Sequence, residues 1–324
     1  MALSEFDIIA RYFTRQGSYR DDVVLGVGDD AALLKVPAGR QLVVAVDTLV
    51  AGRHFPEGTV PFDIGWKALA VNLSDLAAMG ATPAWATLSL TMPEVDEGWL
   101  HAFADGFHAL AGQYQVALVG GDTTRGPLSV SVQLQGYIEP GKALRRDAAA
   151  PGHALFVSGT LGDAACALEQ LQAGGAVDAF LLERLNRPEP RVALGQSLAG
   201  VAAAAIDISD GLLADLRHIL EASRCGATLW PQRLPASAAL QALPPAAALE
   251  CQFNGGDDYE LCFSVAPERR AKLDAMVAGQ GLVVTEIGVL DAQPGLRCQY
   301  PDGRILNPPV HGFDHFLVDD DERG

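Results

Sequence analysis

Two adjacent aspartates, Asp29 and Asp30, lie between glycines and small residues in the segment Gly26–Ala32. Apolar residues flank this segment on both sides, so we predict a turn between two strands that presents both carboxylates to solvent or to a cleft. Neighbouring carboxylates repel each other unless a cation neutralises them. Hard cations such as Mg2+ prefer oxygen ligands and often bridge carboxylates to substrate phosphates. For this segment alone, an ordinary surface turn is the simpler interpretation, because glycine and aspartate are common turn residues.

Aspartates recur in similar surroundings along the chain. Each follows or interrupts an apolar run typical of a strand or helix, so each is expected at the end of an element or on an otherwise apolar face. The positions are Asp47, Asp75, Asp122, Asp207, Asp210, Asp257 and Asp258. A cage of carboxylates built from distant segments explains this recurrence most economically, and a metal ion bound to a polyphosphate is its expected ligand.

The elements that must position these aspartates alternate strand-like and helical patterns, which predicts an α/β (α+β) fold. The predicted carriers in the first half are a strand over 42–47 that ends at Asp47, a helix over 62–79 that contains Asn72 and Asp75 on one face, and a strand over 116–119 that precedes Gly121 and Asp122. A stretch rich in proline, glycine and alanine over 140–152 indicates a domain boundary. We therefore predict a sheet-rich N-terminal domain over 1–140, an α/β C-terminal domain over 150–307 and a tail over 308–324.

Composition excludes several classes of function. The 324-residue chain has a net charge of −17, which disfavours nucleic acid as a partner because phosphate backbones require basic surfaces. The five cysteines form no C-x-x-C pair, a pattern typical of a reduced, cytoplasmic protein. The N-terminus has no signal-peptide pattern, and no apolar run reaches the length of a membrane span.

Other catalytic motifs are incomplete. Gly136–Ala143 almost fits a P-loop, but Ala143 stands where Ser or Thr should hold Mg2+. His311 and His315 have helical metal-ligand spacing, yet the neighbouring glycine and prolines argue against a helix. There is no G-x-S-x-G nucleophile motif, and Cys262 lies in an apolar strand pattern typical of a core residue.

Seven short blocks follow one another along the chain: Gly26–Ala32, Asp47–Val50, His54–Phe55, Asn72–Pro83, Gly120–Thr123, Asp207–Leu212 and Gly256–Leu261. In this order they resemble the signature of the thiamine-monophosphate kinase family, within the aminoimidazole ribonucleotide synthetase-like ATP-binding superfamily. Any one of them is a weak signal, whereas the combination covers nearly the whole chain and is specific.

The resemblance implies ATP-dependent phosphorylation of thiamine monophosphate to thiamine diphosphate by a homodimer, with direct phosphoryl transfer, no covalent enzyme intermediate and several Mg2+ ions. The implied metal ligands are Asp30, Asp47, Asp75, Asp122, Asp207 and Asp210. The implied ATP contacts are Gly121, Asp122, Arg146 and Ser209. The implied substrate contacts are His54, Glu260 and Phe313, and we expect Glu260 and Phe313 at the mouth of the acceptor pocket, with Glu260 at a strand start.

The residues also leave two alternatives open. One is another ATP-using synthetase of the same superfamily, although those with sulfur or selenium chemistry carry a reactive cysteine near one terminus, and here the first cysteine is Cys166. The other is a non-catalytic protein that binds a metal or a nucleotide. Phosphoryl transfer suits the acidic residues better, because it needs positioning and charge neutralisation more than a protein nucleophile.

Overall fold

The computed structural model of the chain describes residues 4–14 and 20–310, and packing divides the chain into two units. The first contains the residues up to Arg145 together with Asn186–Ala202, and the second contains Arg146–Leu185 together with the residues from Ala203 onwards. The strands are β1 (Val23–Leu25), β2 (Leu33–Leu34), β3 (Gln41–Val50), β4 (Thr82–Met92), β5 (Ala117–Arg125), β6 (Ser129–Ile138), β7 (Ala154–Ser158), β8 (Ala204–Ile208), β9 (Gly226–Leu229), β10 (Glu260–Val265), β11 (Val284–Asp291), β12 (Gly295–Gln299) and β13 (Ile305–Leu306). The α-helices are α1 (Glu5–Ile8), α2 (Pro61–Ala78), α3 (Glu97–Gln113), α4 (Asp163–Gln172), α5 (Ala179–Asn186), α6 (Val192–Leu198), α7 (Leu212–Ser223), α8 (Ala238–Gln241), α9 (Pro245–Asn254) and α10 (Arg270–Gln280).

A four-stranded sheet in the order β3-β6-β4-β5 forms the centre of the first unit. β4 and β5 run parallel, and the other pairs are antiparallel. Alternate residues of β6, among them Val130, Val132 and Leu134, are fully buried on one face, as the two-residue period of a strand requires. Helix α2 packs on this face and against α3, so the core of the unit lies between the sheet and the two helices.

Two glycines allow α2 and α3 to approach closely. A Cβ atom at Gly65 would lie 2.1 Å from the carbonyl oxygen of Phe103, and one at Gly106 would lie 1.9 Å from the carbonyl oxygen of Phe62. Neither position has room for a side chain, so the two helices pack backbone against backbone. This contact fixes the position of α2, the helix that carries Asp75.

The opposite face of the same sheet exposes apolar side chains. Leu42, Val44, Val46 and Val50 of β3 are between 37% and 61% exposed. They alternate with residues that point towards α2, and β3 is one of the two edge strands of the sheet. Such a contiguous apolar strip is unusual on a monomer and is typical of an interaction surface.

Residues 186–202 join the first unit although they follow part of the second in sequence. Helix α6 packs on α2, and a Cβ atom at Gly195 would lie 2.0 Å from the carbonyl oxygen of Ala77. Upstream of α6, the Arg187 Nε donates to Asp63 Oδ1 at 2.5 Å. A single boundary at 140–150 does not anticipate this arrangement, because the contacts of α6 are with residues far away in sequence.

A seven-stranded sheet in the order β13-β12-β9-β11-β7-β10-β8 forms the second unit. Only the β9–β12 pair is parallel among the described strands, so the unit is α+β. Its core includes Leu155, Ile206, Leu216, Phe253 and Ile287. The strand-like apolar runs of the sequence near 154–158, 205–208, 259–265 and 282–289 correspond to β7, β8, β10 and β11. The sequence patterns did not indicate β9, β12 and β13.

In the part of the chain that the structure describes, no helix combines the length and the apolar character that a membrane span needs.

Candidate active site

The Gly26–Ala32 segment forms an exposed loop between β1 and β2, as the sequence predicts. Asp29 and Asp30 are both exposed, and the Asp29 Oδ1 accepts a hydrogen bond from the Asp30 amide at 2.8 Å. Gly28 has a φ of 120°, in the region that side-chain-bearing residues avoid. The loop therefore has a glycine-dependent shape and presents two carboxylates.

Asp47 lies within β3 and not at its end. The sequence suggested a strand that stops at Asp47, but the ladder with β6 continues to the pair Val50–Ser129. Asp47 pairs with the buried Val132, so its side chain shares the face that α2 covers, where it is half-buried.

Helix α2 places Asn72 and Asp75 on the same side of the sheet as Asp47. Asn72 is fully buried and Asp75 is half-buried. The Asn72 Nδ2 donates to the Ala68 carbonyl at 3.1 Å, whereas its Oδ1 has no hydrogen-bond partner among the described residues. The amide oxygen of Asn72 and the carboxylate of Asp75, side by side on one helix, are the type of ligands that a hard cation binds.

Asp122 lies on the other face of the sheet from Asp47. The sequence suggested a turn at Gly120–Asp122 after a short strand, but β5 continues through these residues to Arg125. Asp122 pairs with Ser89, and Ser89 pairs with Ser131. Ser131 directly precedes Val132, the partner of Asp47, and successive residues of a strand point to opposite faces. The structure therefore does not bring Asp122 to the side of the sheet that carries Asp47 and Asp75.

Gly121 allows two backbones to approach closely beside Asp122. A Cβ atom at this position would lie 1.8 Å from the carbonyl oxygen of Leu88. Only glycine fits here, and this explains the glycine directly before Asp122.

His54 lies in a tight turn that follows β3. The ring is half-buried, and its Nδ1 accepts a hydrogen bond from the Val50 amide at 3.0 Å. The ammonium group of the buried Lys67 donates to the His54 carbonyl at 3.1 Å. Lys67 was not anticipated, because a lysine within a helical pattern normally indicates a solvent-facing position.

In the second unit, three carboxylates lie close together around the turn between β8 and α7. Asp207 and Asp215 are buried, and Asp210 is half-buried. The Asp215 Oδ2 accepts hydrogen bonds from the amides of Ser209 at 2.9 Å and Asp210 at 3.0 Å. Burial and, next, the negative charge of Asp207 raise the pKa of Asp215 to about 8.

Glu260 begins β10, as expected, but it is fully buried and does not lie at an open pocket mouth. Its Oε1 accepts a hydrogen bond from Arg184 Nη2 at 2.9 Å, and its Oε2 accepts one from Ser158 Oγ at 2.5 Å. Gly159 leaves room for the carboxylate, since a Cβ atom there would lie 2.1 Å from Glu260 Oε1.

More buried carboxylates surround Arg184. The Arg184 Nε lies 3.8 Å from Asp163 Oδ2, and the fully buried Asp258 accepts two hydrogen bonds from the Gly162 amide at 2.8 and 3.0 Å. Burial raises the pKa of Asp258 well above its usual range, and the Gly162 amide and Arg184 oppose the shift. No sequence pattern indicated Arg184, because its partners are distant along the chain.

The backbone at Arg146 is held by α7. The Ser223 Oγ donates to the Arg146 carbonyl at 2.7 Å and accepts from the Ala149 amide at 3.1 Å. Phe313, together with His311 and His315, lies outside the described residues.

The expected site residues thus fall into two sets. The first unit contains Asp30, Asp47, His54, Asp75, Gly121 and Asp122, and the second contains Arg146, Asp207, Ser209, Asp210 and Glu260. Across residues 4–14 and 20–310, no group of three or more His, Cys, Asp or Glu side chains has the arrangement of a metal site. The donors nevertheless fit Mg2+ chemically: they are oxygens, and the mutual repulsion at Asp207, Asp210 and Asp215 is of the kind that a divalent cation relieves.

Comparisons with known proteins cover nearly the whole chain. Models of AIR synthase related proteins match residues 28–138 for the N-terminal domain and residues 150–301 for the C-terminal domain. The thiamine-monophosphate kinase of Salmonella typhimurium is 49% identical over 325 residues, which cover 98% of this chain and 100% of the relative.

Solved structures agree with this relationship. The crystal structure of thiamine-monophosphate kinase from Stenotrophomonas maltophilia K279a has a TM-score of 0.85 at 51% identity, over 94% of this chain and 98% of that chain. A structure described as AaThiL complexed with AMPPCP and TMP has a TM-score of 0.76 at 32% identity, over 86% of this chain and 88% of that chain. The AIR synthase-like α+β fold that the sequence predicts is confirmed, and the chain belongs to the thiamine-monophosphate kinase family.

Proposed function

We propose that this chain transfers the terminal phosphoryl group of ATP to thiamine monophosphate and forms thiamine diphosphate. The observation that carries the proposal is the 49% identity to a thiamine-monophosphate kinase over 98% of the chain. A relative solved with AMPPCP and TMP supports the same pair of ligands.

The reaction needs no covalent enzyme intermediate. An oxygen of the acceptor phosphate forms a bond to the γ-phosphorus of ATP. The bond between that phosphorus and the β–γ bridging oxygen breaks, and its electron pair leaves with ADP. All five cysteines are buried, which agrees with direct transfer.

Mg2+ is part of the proposal. Asp47 and Asp75 in the first unit, and Asp207 and Asp210 in the second, are the carboxylates whose surroundings suit it best, and Asp30 and Asp122 remain proposed ligands. Bound Mg2+ neutralises phosphate charge and lowers the repulsion between the two anionic substrates. These carboxylates would hold the ions, and Arg146 is proposed to donate to phosphate oxygens.

The remaining contacts are proposed from the family resemblance. Gly121, Asp122, Arg146 and Ser209 are proposed to contact ATP, and His54 and Phe313 are proposed to contact the acceptor. Glu260, which the resemblance also implies as an acceptor contact, is fully buried against Arg184 and Ser158 and is not proposed as one.

The direct test is product analysis after incubation with ATP, MgCl2 and thiamine monophosphate. Formation of equal amounts of ADP and thiamine diphosphate supports the proposal, and chelation of Mg2+ should abolish both. ADP without thiamine diphosphate would indicate another ATP-using reaction. Mg2+-dependent stabilisation by AMPPCP without turnover of ATP would indicate a nucleotide-binding protein. Asp274→Asn, at an exposed surface pair, serves as the control variant for each measurement.

We also propose that the chain forms a homodimer through the outer face of the first unit's sheet. The support is the exposed apolar strip of β3, which a second copy would cover. Val46→Glu should convert the dimer into a monomer in light scattering after size exclusion. Val283→Glu is a matched control, because Val283 is 67% exposed and Val46 is 61% exposed. A dimer that survives Val46→Glu would exclude this face.

A further inference from the structure

The turn that follows β3 is tightly hydrogen-bonded. The Val50 carbonyl accepts the amides of Arg53 at 3.1 Å and His54 at 3.0 Å, and the Gly52 amide donates to the Phe55 carbonyl at 2.9 Å. Gly52 has a φ of 75°, which a glycine adopts at little cost, and the Phe55 side chain is buried. The backbone of His54 is therefore fixed.

One hydrogen bond defines which nitrogen of the His54 ring carries the proton. The Val50 amide donates to Nδ1 at 3.0 Å. A backbone N–H can only donate, so Nδ1 must present its lone pair. A neutral imidazole has one protonated nitrogen, and here that nitrogen is Nε2. Protonation of Nδ1 would direct one N–H against another and would break this contact.

Lys67 holds the same turn from α2. Its side chain is 2% exposed, and its Nζ donates to the His54 carbonyl at 3.1 Å. A buried lysine is costly unless polar groups surround it, so the position of this ammonium group beside the turn is specific.

We propose that His54 serves the acceptor as a neutral hydrogen-bond donor through Nε2–H, not as a general base, and that Lys67 is the residue that positions it. This inference rests on the proposed function, which gives His54 contact with the acceptor. The acceptor phosphate has a second pKa of about 6, so its oxygen is already anionic at neutral pH and needs no base. An alcohol acceptor does need one. A donor at this position therefore favours a phosphate over the hydroxyl of unphosphorylated thiamine.

The first test is independent of activity. Two-bond 1H–15N correlation spectra of the protein labelled with 15N-histidine distinguish the two neutral tautomers and the imidazolium ion. The His54 signals, assigned as those missing in His54→Gln, should show an unprotonated Nδ1 and a protonated Nε2 at pH 7. His101→Gln is the assignment control, because His101 lies at an exposed position on α3. Protonated Nδ1, or a fully charged ring, would overturn the inference whether or not thiamine monophosphate is phosphorylated.

The second test separates a donor from a base by steady-state kinetics. In His54→Gln the amide N–H replaces Nε2–H, so we expect kcat within about threefold of wild type and a small rise in acceptor KM. In His54→Phe no donor remains, and acceptor KM should rise about tenfold or more while kcat and ATP KM change little. A loss of kcat beyond a hundredfold in both variants would identify a base and would overturn the inference.

The positioning role of Lys67 is tested by the same two measurements, the His54 nitrogen signals and the comparison of acceptor KM with kcat. Lys67→Met should raise acceptor KM and change the His54 nitrogen signals, and Lys67→Arg should restore both in part, because it keeps a buried donor. Thermal unfolding of each variant shows whether the chain remains folded. If Lys67→Met leaves the His54 signals and acceptor KM unchanged, Lys67 does not position His54. If no thiamine diphosphate forms with wild type while the His54 tautomer is as inferred, the proposed function fails and the tautomer assignment stands.

Discussion

Two turns of nearly the same sequence occupy opposite environments. Gly26–Asp30 and Asn254–Asp258 both place a pair of aspartates after glycines. The first is an exposed loop whose two carboxylates face solvent. In the second, Asp258 is fully buried, and the Asp257 amide donates to the Ser209 carbonyl at 2.8 Å. The same residue types therefore provide available ligands in one turn and an internal cross-link in the other.

The glycines differ between the turns for physical reasons. Gly28 has a φ of 120°, and a Cβ atom at this position would have no atom within 4 Å, so only its backbone conformation requires glycine. At Gly256 a Cβ atom would lie 2.4 Å from the Ser209 carbonyl oxygen, so packing requires glycine there. A glycine–aspartate motif does not by itself distinguish a ligand loop from a structural turn, and the packing around it does.

The largest expected effect comes from removing the cation beside the buried turn. Arg184→Met leaves Glu260 and Asp163 buried without their basic partner, which costs about 3–5 kcal/mol when one member of a buried pair is lost. Urea unfolding followed by circular dichroism measures this change in the free energy of unfolding. The control Arg217→Met removes an exposed pair with Glu221 and should cost less than about 1 kcal/mol. Equal losses in both variants would contradict a special role for the Arg184 cluster.

The exposed turn should respond in activity and not in stability. Asp30→Asn removes one charge from a proposed Mg2+ ligand, and we expect kcat to fall about a hundredfold or more, since electrostatic stabilisation of the transferring group is a large part of such catalysis. The unfolding midpoint in urea should stay unchanged, because Asp30 is exposed. Asp29→Asn is the matched neighbour: its side-chain oxygen still accepts the Asp30 amide, so its effect should be smaller. Near wild-type turnover of Asp30→Asn at saturating Mg2+ would show that this loop binds no essential ion.

The buried turn should also make stability depend on pH. Burial raises the pKa of Asp258 in the folded chain, whereas in the unfolded chain the group titrates near 3.9. Above that pH the unfolded state loses its proton first, so the carboxyl destabilises the fold increasingly as pH rises. Between the pKa of Asp258 in the unfolded chain and its raised pKa in the folded chain, the free energy of unfolding of Asp258→Asn should therefore rise relative to that of wild type. The rise should be up to about 1.4 kcal/mol for each pH unit. Parallel stability curves for the two proteins between pH 4 and pH 7 would contradict the shifted pKa.

Elements with strong periodicity were predictable from the sequence. The expected helix over 62–79 corresponds to α2 (Pro61–Ala78). The alternating pattern over 128–138, which is typical of a strand, corresponds to β6 (Ser129–Ile138). The face of Asp122 was not predictable. The Gly120–Gly121 pair predicts a turn, but here glycine is needed for close contact within a strand that continues, and a register shift between Ala86 and Thr87 precedes this part of the β4–β5 ladder.

The carboxylates at the candidate site were predictable as a set, but their partners were not. Arg184 and Glu260 are 76 residues apart, and no local pattern connects them. The same holds for Lys67, whose hydrogen bond to the His54 carbonyl joins a helix to a turn. Sequence motifs indicate which residue types a site needs, whereas burial and pairing depend on contacts that only the fold creates.

The smallest expected effect is also the finest test of the first turn. Gly28 and Gly39 both have positive φ and open space around a Cβ atom, and both lie in exposed segments. Gly28→Ala and Gly39→Ala should therefore cost similar amounts, about 1 kcal/mol each, from backbone strain. Only Gly28 is next to the aspartates, so only Gly28→Ala should raise the Mg2+ concentration needed for half-maximal activity, by a fewfold. Equal Mg2+ dependence in the two variants would mean that the shape of the Gly26–Asp30 turn does not affect binding of the ion. Gly28 would then have a purely structural role, as Gly256 has in the Asn254–Asp258 turn.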